Sequence, residues 1–125
     1  MEKAKPRILI ADDEENILEA VSIVLKEAFD ITTASRGDTA LDAYRKDAFD
    51  LVISDVKMPG LDGIELFREV KAINPDQKYI FISVSSILHD DPEAREILDR
   101  RADGFLGKPY RVPELLSLID KVLPS

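Results

Sequence analysis

The sequence contains no cysteine and only one histidine, His89. The lack of cysteine excludes disulfides, thiol catalysis and zinc–thiolate sites. With one histidine, a histidine-based catalytic triad or a multi-histidine metal site would need a residue from a second subunit. Chemistry within one chain must therefore rest on carboxylates, hydroxyls and lysine. His89 itself lies in a polar segment, where we expect a solvated loop residue.

Long apolar runs and an excess of basic residues are also missing. No apolar run approaches the roughly 20 residues needed to span a bilayer, and no apolar stretch follows the charged N-terminus. We therefore expect a cytoplasmic protein with no membrane partner. Acidic residues outnumber basic residues by 25 to 17, which argues against direct nucleic-acid binding.

The length of 125 residues and the composition predict one globular domain. An apolar share of 45% with 34% charged residues is ordinary for such a domain. We find no repeat, low-complexity tract or linker. Residues 1–125 are therefore expected to form a single domain with no effector domain in this chain.

Short apolar runs alternate with segments whose apolar residues recur at helical spacing. The runs lie at 7–11, 29–34, 51–55, 79–83 and 103–107. Strict alternation of strands and helices predicts a parallel sheet with helices on both faces and right-handed crossovers. The expected fold is α/β: a flavodoxin-like, doubly wound, five-stranded parallel sheet of order 2-1-3-4-5 with five helices.

Asp55 lies at the carboxyl end of the third predicted strand. The segment that follows, Lys57–Gly63, is rich in Pro and Gly and cannot continue a strand. In the predicted order the switch point lies between the first and third strands, which brings Asp12 and Asp13 beside Asp55. Lys108, after the fifth strand, is expected to reach the same edge.

The residues at this edge predict phosphoryl chemistry. Clustered carboxylates repel one another unless a cation compensates them, and oxygen ligands without Cys or His suit Mg²⁺. Magnesium with a nearby lysine is typical of sites that handle phosphoryl groups. Each acid alone has an ordinary explanation, since Asp12 and Asp13 suit a helix start and Asp55 suits a turn. The convergence of four such residues at one edge favours a site.

Three segments resemble the response-regulator receiver domain: Ile8–Glu14 (ILIADDE), Leu51–Gly63 (LVISDVKMPGLDG) and Ala102–Pro109 (ADGFLGKP). The resemblance covers nearly the whole chain in order and spacing. It implies that Asp55 is the phosphoacceptor, a carboxylate nucleophile that takes a phosphoryl group from a sensor histidine kinase or phosphotransfer protein.

The resemblance also implies roles for the surrounding residues. Asp13, Asp55 and the backbone carbonyl of Lys57 would hold Mg²⁺, and Asp12 would act mainly through a bound water. Lys108 would pair with Asp55 before transfer and with the phosphoryl oxygens afterwards. The Lys108–Pro109 bond is expected to be cis.

Two further positions complete the implied switch. A hydroxyl at the end of the fourth strand is assigned to Ser83, with Ser85 and Ser86 as alternatives because the following segment is longer than usual. Phe105 occupies the aromatic switch position, although a plain core aromatic is an equally ordinary interpretation. Val84 replaces the small residue usual after the hydroxyl, and its bulk is expected to hinder movement of the loop.

The expected function is a two-component signalling switch rather than a turnover enzyme. It would change conformation on phosphorylation and so control a downstream target or effector domain. A homodimer through helix 4, strand 5 and helix 5 is a further expectation. Two alternatives remain open: a phosphohydrolase with an aspartyl-phosphate intermediate, which needs an acid near the position of Lys57, and a constitutive binding module that is never phosphorylated.

Overall fold

The computed structural model describes residues 5–84 and 91–123. The described strands form one sheet of order β2-β1-β3-β4-β5, and every neighbouring pair is parallel. The predicted fold and strand order are therefore confirmed. The strands are β1 (Arg7–Ala11), β2 (Asp30–Ala34), β3 (Leu51–Asp55), β4 (Lys78–Ser83) and β5 (Gly104–Gly107).

Helices connect successive strands and cover both faces of the sheet. They are α1 (Glu15–Leu25), α2 (Gly37–Lys46), α3 (Gly63–Ile73), α4 (Pro92–Glu96) and α5 (Val112–Val122). None of the helices in the described parts of the chain has the length and apolar content that crossing a membrane requires.

The helix before β5 differs from the regular helix that the sequence predicts. Its α-helical part ends at Glu96, and a π-helical turn, Ile97–Arg101, follows. The wider turn is closed by the Ala102 N–H, which donates to the Ile97 carbonyl five residues earlier at 2.8 Å. Ile97 and Leu98 stay buried, as the apolar spacing predicts.

Local sequence signals fix the start and end of α3. Asp62 accepts a hydrogen bond from the Glu65 N–H at 2.9 Å, and the Glu65 carboxylate accepts from the Asp62 N–H at 3.3 Å. This reciprocal capping box satisfies two backbone donors that the helix itself leaves free. The helix ends at Ile73. The ring of Pro75 disfavours the helical conformation at the preceding residue, Asn74.

The central strand β3 is buried along its whole length. Val52 joins one apolar cluster with Phe67 and Phe81 on the face covered by α2, α3 and α4. Ile53 joins the second cluster with Leu115 on the face covered by α1 and α5. Asp55 is thus held at the end of a strand that packs on both faces.

A buried hydroxyl pair links β3 to β4. Ser54 Oγ and Tyr79 Oη lie 2.7 Å apart, and neither residue has any exposed surface. Tyr79 Oη also approaches the Gly63 carbonyl at 3.4 Å, at the start of α3. Buried polar groups require such partners, because losing one leaves the other desolvated without compensation.

We predict that Tyr79→Phe destabilises the protein by about 1–2 kcal/mol, because the Ser54 hydroxyl loses its buried partner. Urea denaturation measures this change. The double variant Ser54→Ala/Tyr79→Phe should cost less than the sum of the two single changes, since no orphaned hydroxyl remains. A strictly additive double variant would show that the pair contributes no coupling energy.

Burial raises the pKa of all three tyrosines. For Tyr110, near the start of α5, burial raises the pKa to about 12. Burial also raises the pKa of Tyr79 and of Tyr44, whose hydroxyl donates to Gln77 Oε1 at 2.7 Å. Each folded-state pKa exceeds the unfolded value of about 10, so the neutral phenols favour the folded state. This contribution to the free energy of unfolding is fully present below about pH 10. It is lost as the pH rises through the folded-state values.

Alkaline titration checks this expectation through tyrosinate absorbance. At about pH 10.5 the unfolded chain in urea should be more than half ionised, while the folded protein should show less tyrosinate. The chain has no tryptophan, so the signal reports the tyrosines alone. Identical titration curves for the folded and unfolded protein would contradict the burial of these phenols.

Candidate functional site

The acidic residues converge because β1 and β3 are neighbours. Ala11 at the end of β1 pairs with Ser54 near the end of β3, so Asp12 and Asp13 follow β1 at the edge where Asp55 ends β3. Carboxylate oxygens of these three residues and Glu14 lie within 4.8 Å of one another. The structure therefore brings together the acids that the strand order placed at this edge.

The four carboxylates differ in burial. Asp12 and Asp55 are buried, while Asp13 and Glu14 are exposed. Asp12 Oδ1 accepts a hydrogen bond from the Glu14 N–H at 2.9 Å. Burial is the main cause that raises the pKa of Asp12 above its usual value. The site thus keeps two carboxylates out of water, which requires compensating positive charge.

Lys108 supplies that charge from the end of β5. Its backbone N–H donates to the Ser83 carbonyl at 2.9 Å, which fixes the residue beside β4. Its ammonium donates to Asp55 Oδ2 at 2.7 Å, to Glu14 Oε1 at 2.8 Å and to Asp12 Oδ1 at 3.2 Å. The side chain is only 9% exposed.

The electrostatics of this cluster keep Lys108 protonated. Burial opposes its charge, but the hydrogen bonds to Asp55, Glu14 and Asp12 outweigh that penalty and raise the pKa of Lys108. All three ammonium donors are engaged. Lys108 therefore acts as a fixed positive charge between the carboxylates.

Glu14 is the contact of Lys108 that the sequence reasoning missed. No role is predicted for Glu14 from the sequence, whereas its carboxylate contacts a lysine 94 residues away. The available signal was the run Asp12-Asp13-Glu14 directly after a buried strand. A run of acids at that edge places more than two carboxylates near the switch point.

The acidic cluster fits an oxygen-ligated divalent cation. Asp12 Oδ2 is buried and has no hydrogen-bond partner. It lies 3.0 Å from Lys108 Nζ, in ion-pair contact only. Three carboxylates thus contact one ammonium, Asp13 adds a fourth carboxylate to the cluster, and neither Cys nor His is among the clustered groups. Hard oxygen donors with excess negative charge suit Mg²⁺ better than they suit a softer metal ion.

The loop after β3 is held against the end of that strand. The Gly63 N–H donates to the Val56 carbonyl at 2.8 Å. A Cβ atom on Gly63 would lie 1.9 Å from the Asp55 carbonyl oxygen, so a side chain cannot fit there. The Lys57 N–H approaches Asp55 Oδ1 at 3.3 Å, while the Lys57 side chain is exposed. This contact fixes the Lys57 backbone beside Asp55.

The two predicted switch residues lie on neighbouring strands. Ser83 ends β4, is buried and donates from Oγ to the Val84 carbonyl at 3.4 Å. Phe105 on β5 is half-buried and is paired in register with Phe81. Val84 is exposed.

Other sequence expectations near the switch have mixed outcomes. The Lys108–Pro109 bond is cis, as expected. Ser85, Ser86 and His89 lie outside the described residues. The choice between Ser83, Ser85 and Ser86 therefore stays a prediction.

Comparison with known sequences gives one family. The family model of the response regulator receiver domain matches residues 8–120. The chain is 30% identical to the response regulator receiver protein CpdR of Brucella abortus over 118 residues, which cover 94% of this chain and 96% of CpdR. It is 33% identical to sporulation initiation phosphotransferase F of Bacillus subtilis, with 94% of each protein covered.

Comparison with solved structures leads to the same family as the sequence comparison. The chemotaxis response regulator CheY4 of Vibrio cholerae superposes with a TM-score of 0.84 at 28% identity, covering 96% of this chain and 100% of that structure. Other relatives are longer, since the chain spans 52% and 24% of two regulatory proteins it matches. The order of the strands, the acidic edge and both comparisons lead to one conclusion: the chain belongs to the receiver domain family of two-component response regulators.

Proposed function

We propose that this receiver accepts a phosphoryl group on Asp55 in a Mg²⁺-dependent reaction and changes conformation in response. The observation that carries the proposal is the environment of the Asp55 carboxylate. It ends β3 within an acidic cluster and accepts a 2.7 Å hydrogen bond from Lys108. A carboxylate in that setting is a nucleophile beside a fixed positive charge.

In the proposed transfer an Asp55 carboxylate oxygen forms a bond to phosphorus. The phosphorus–nitrogen bond of a phosphohistidine breaks at the same time, and the imidazole leaves with the electron pair. The donor is a sensor histidine kinase or a phosphotransfer protein. The relative from Bacillus subtilis is named a phosphotransferase, which supports such a role. No general base is required, because the nucleophile is a carboxylate.

The proposed metal ligands are Asp13, Asp55 and the Lys57 carbonyl, with Asp12 acting through a water. Bound there, Mg²⁺ would offset the charge of the carboxylates and of the incoming phosphoryl oxygens. The buried Oδ2 of Asp12, which has an ion-pair contact with Lys108 but no hydrogen bond, supports this assignment. The contact of the Lys57 N–H with Asp55 keeps the Lys57 backbone next to the same carboxylate.

The proposed conformational change links Lys108, Ser83 and Phe105. After transfer Lys108 would donate to the phosphoryl oxygens in place of Asp55. The Ser83 hydroxyl has only a long 3.4 Å hydrogen bond, so turning toward the phosphoryl group costs it little. Since Ser83 and Gly107 pair in register, movement of β4 would reach Phe105 two residues earlier on β5.

The proposed output surface is formed by α4, β5 and α5. A downstream protein, an effector domain or a second copy of the chain would bind there. Exposed charges of both signs lie on this side, including Arg95 and Asp99, which form an ion pair of 3.8 Å. Such a mixed surface suits a polar, reversible interface.

The two alternatives differ from this proposal in testable ways. A phosphohydrolase needs an acid soon after its nucleophile to protonate the leaving group, and Lys57 stands there with an exposed side chain. Lack of turnover on phosphomonoesters would oppose that alternative. A constitutive binding module would bind its partner equally well with or without a phosphodonor.

We predict that wild-type protein with Mg²⁺ and acetyl phosphate gains one labile phosphoryl adduct, detected by intact-mass analysis. The adduct should be absent from Asp55→Asn, which lacks the nucleophile, and from samples treated with a chelator, which removes the metal. The matched control is Asp42→Asn, an exposed α2 carboxylate, which should be phosphorylated normally. An adduct on Asp55→Asn, or none on wild type despite Mg²⁺ binding and trials with several kinases, would refute the proposal.

We predict that Ser83→Ala still forms the adduct but loses most of the conformational response. Without the hydroxyl, residue 83 cannot form a hydrogen bond with the phosphoryl group. The interaction that would draw the end of β4 toward that group is then lost. Amide NMR shifts of Phe105 on phosphorylation measure the response, and Ser83→Thr should retain it. Ser85→Ala and Ser86→Ala are parallel controls. Loss of the response in either of them, but not in Ser83→Ala, would transfer the role to that serine.

A further inference from the structure

Glu14 occupies the N-cap position of α1 but does not cap it. Its backbone carbonyl accepts from Ile17 and Leu18 at 3.0 and 3.1 Å, whereas its side chain makes no capping hydrogen bond. Glutamate is not a favoured N-cap residue. The carboxylate instead reaches Lys108 Nζ at 2.8 Å. Helix capping therefore does not explain its orientation.

Lys108 divides its hydrogen bonds between two kinds of carboxylate. Asp12 and Asp55 are buried and belong to the proposed metal site, while the Glu14 side chain is 56% exposed. A divalent cation at that site needs the same carboxylates that the ammonium now contacts. Since two cations on one pair of carboxylates repel each other, the metal binds more weakly the more strongly the ammonium is drawn onto Asp12 and Asp55.

Glu14 competes with Asp12 and Asp55 for the Lys108 ammonium. Among the described residues that Lys108 contacts, it is the one carboxylate outside the proposed ligand set. It also lies on the outer side, where Lys108, Val84 and Tyr110 border an apolar groove of 310 Å³. An ammonium that shares its hydrogen bonds with Glu14 is bound less strongly to the buried oxygens of Asp12 and Asp55.

We propose that Glu14 is a positioning residue: it takes one of the three hydrogen bonds of the Lys108 ammonium, draws that charge away from Asp12 and Asp55, and so raises the affinity of the acidic cluster for Mg²⁺. The inference rests on the proposed magnesium dependence and adds a residue that acts through Lys108. Without Glu14, the ammonium hydrogen-bonds only to Asp12 and Asp55 and competes with the metal more strongly. Because the Glu14 carboxylate is half-exposed, the effect is modest, roughly 2- to 5-fold in Kd.

The dissociation constant of Mg²⁺, measured by calorimetry at fixed ionic strength, tests the role. Glu14→Gln should weaken binding roughly 2- to 5-fold. Glu14→Asp should weaken it as well, because the shorter side chain keeps the charge but loses the reach to Lys108. The matched control is Glu15→Gln, an identical charge change at the neighbouring exposed position, and it should leave the Kd nearly unchanged.

The same measurements without the lysine separate positioning from simple charge. Lys108→Met should tighten Mg²⁺ binding, and adding Glu14→Gln to it should change the Kd no further. Lys108→Gln serves as a second background if the Met variant does not fold, as judged by circular dichroism. Equal weakening by Glu14→Gln with and without the lysine would overturn the inference and make Glu14 a general charge or a ligand. Absence of Mg²⁺ binding in wild type would overturn the proposed function itself.

Discussion

The ammonium of Lys108 among buried carboxylates is the interaction on which the site depends. Asp12 and Asp55 lie almost out of contact with solvent, and a buried carboxylate without a partner is strongly unfavourable. Lys108 contacts both, although it is 96 and 53 residues away from them in the chain. The fold has to bring the ends of β1, β3 and β5 to one edge before this compensation exists.

The remainder of the fold serves to hold that edge in place. Apolar clusters on both faces fix β3, and the hydroxyl pair of Ser54 and Tyr79 ties it to β4 one residue before Asp55. Gly63 lets α3 begin against the Asp55 carbonyl. The carboxylate proposed as the nucleophile thus lies on a strand that is buried along its whole length, while the residues proposed to respond, Ser83 and Phe105, lie on β4 and β5.

Most of the fold and the acids of the site were predictable because their signals are local. Apolar runs closed by Pro and Gly located the strands, and the strand order followed from the alternation of strands and helices. That order placed Asp12 and Asp13 beside Asp55 without any knowledge of their contacts. The prediction was less accurate for the helix before β5, because the π-helical turn Ile97–Arg101 retains the apolar spacing of a regular helix.

The sequence alone determined the elements and the set of chemical groups: oxygen donors, hydroxyls and lysine, with no thiol and no histidine cluster. These follow from composition and from patterns within about ten residues. Tertiary structure alone decided how Lys108 shares its hydrogen bonds among Asp12, Glu14 and Asp55. It also decided that Glu14 turns away from its own helix, because contacts between residues almost a hundred positions apart leave no local pattern and depend on how the strand ends meet in space.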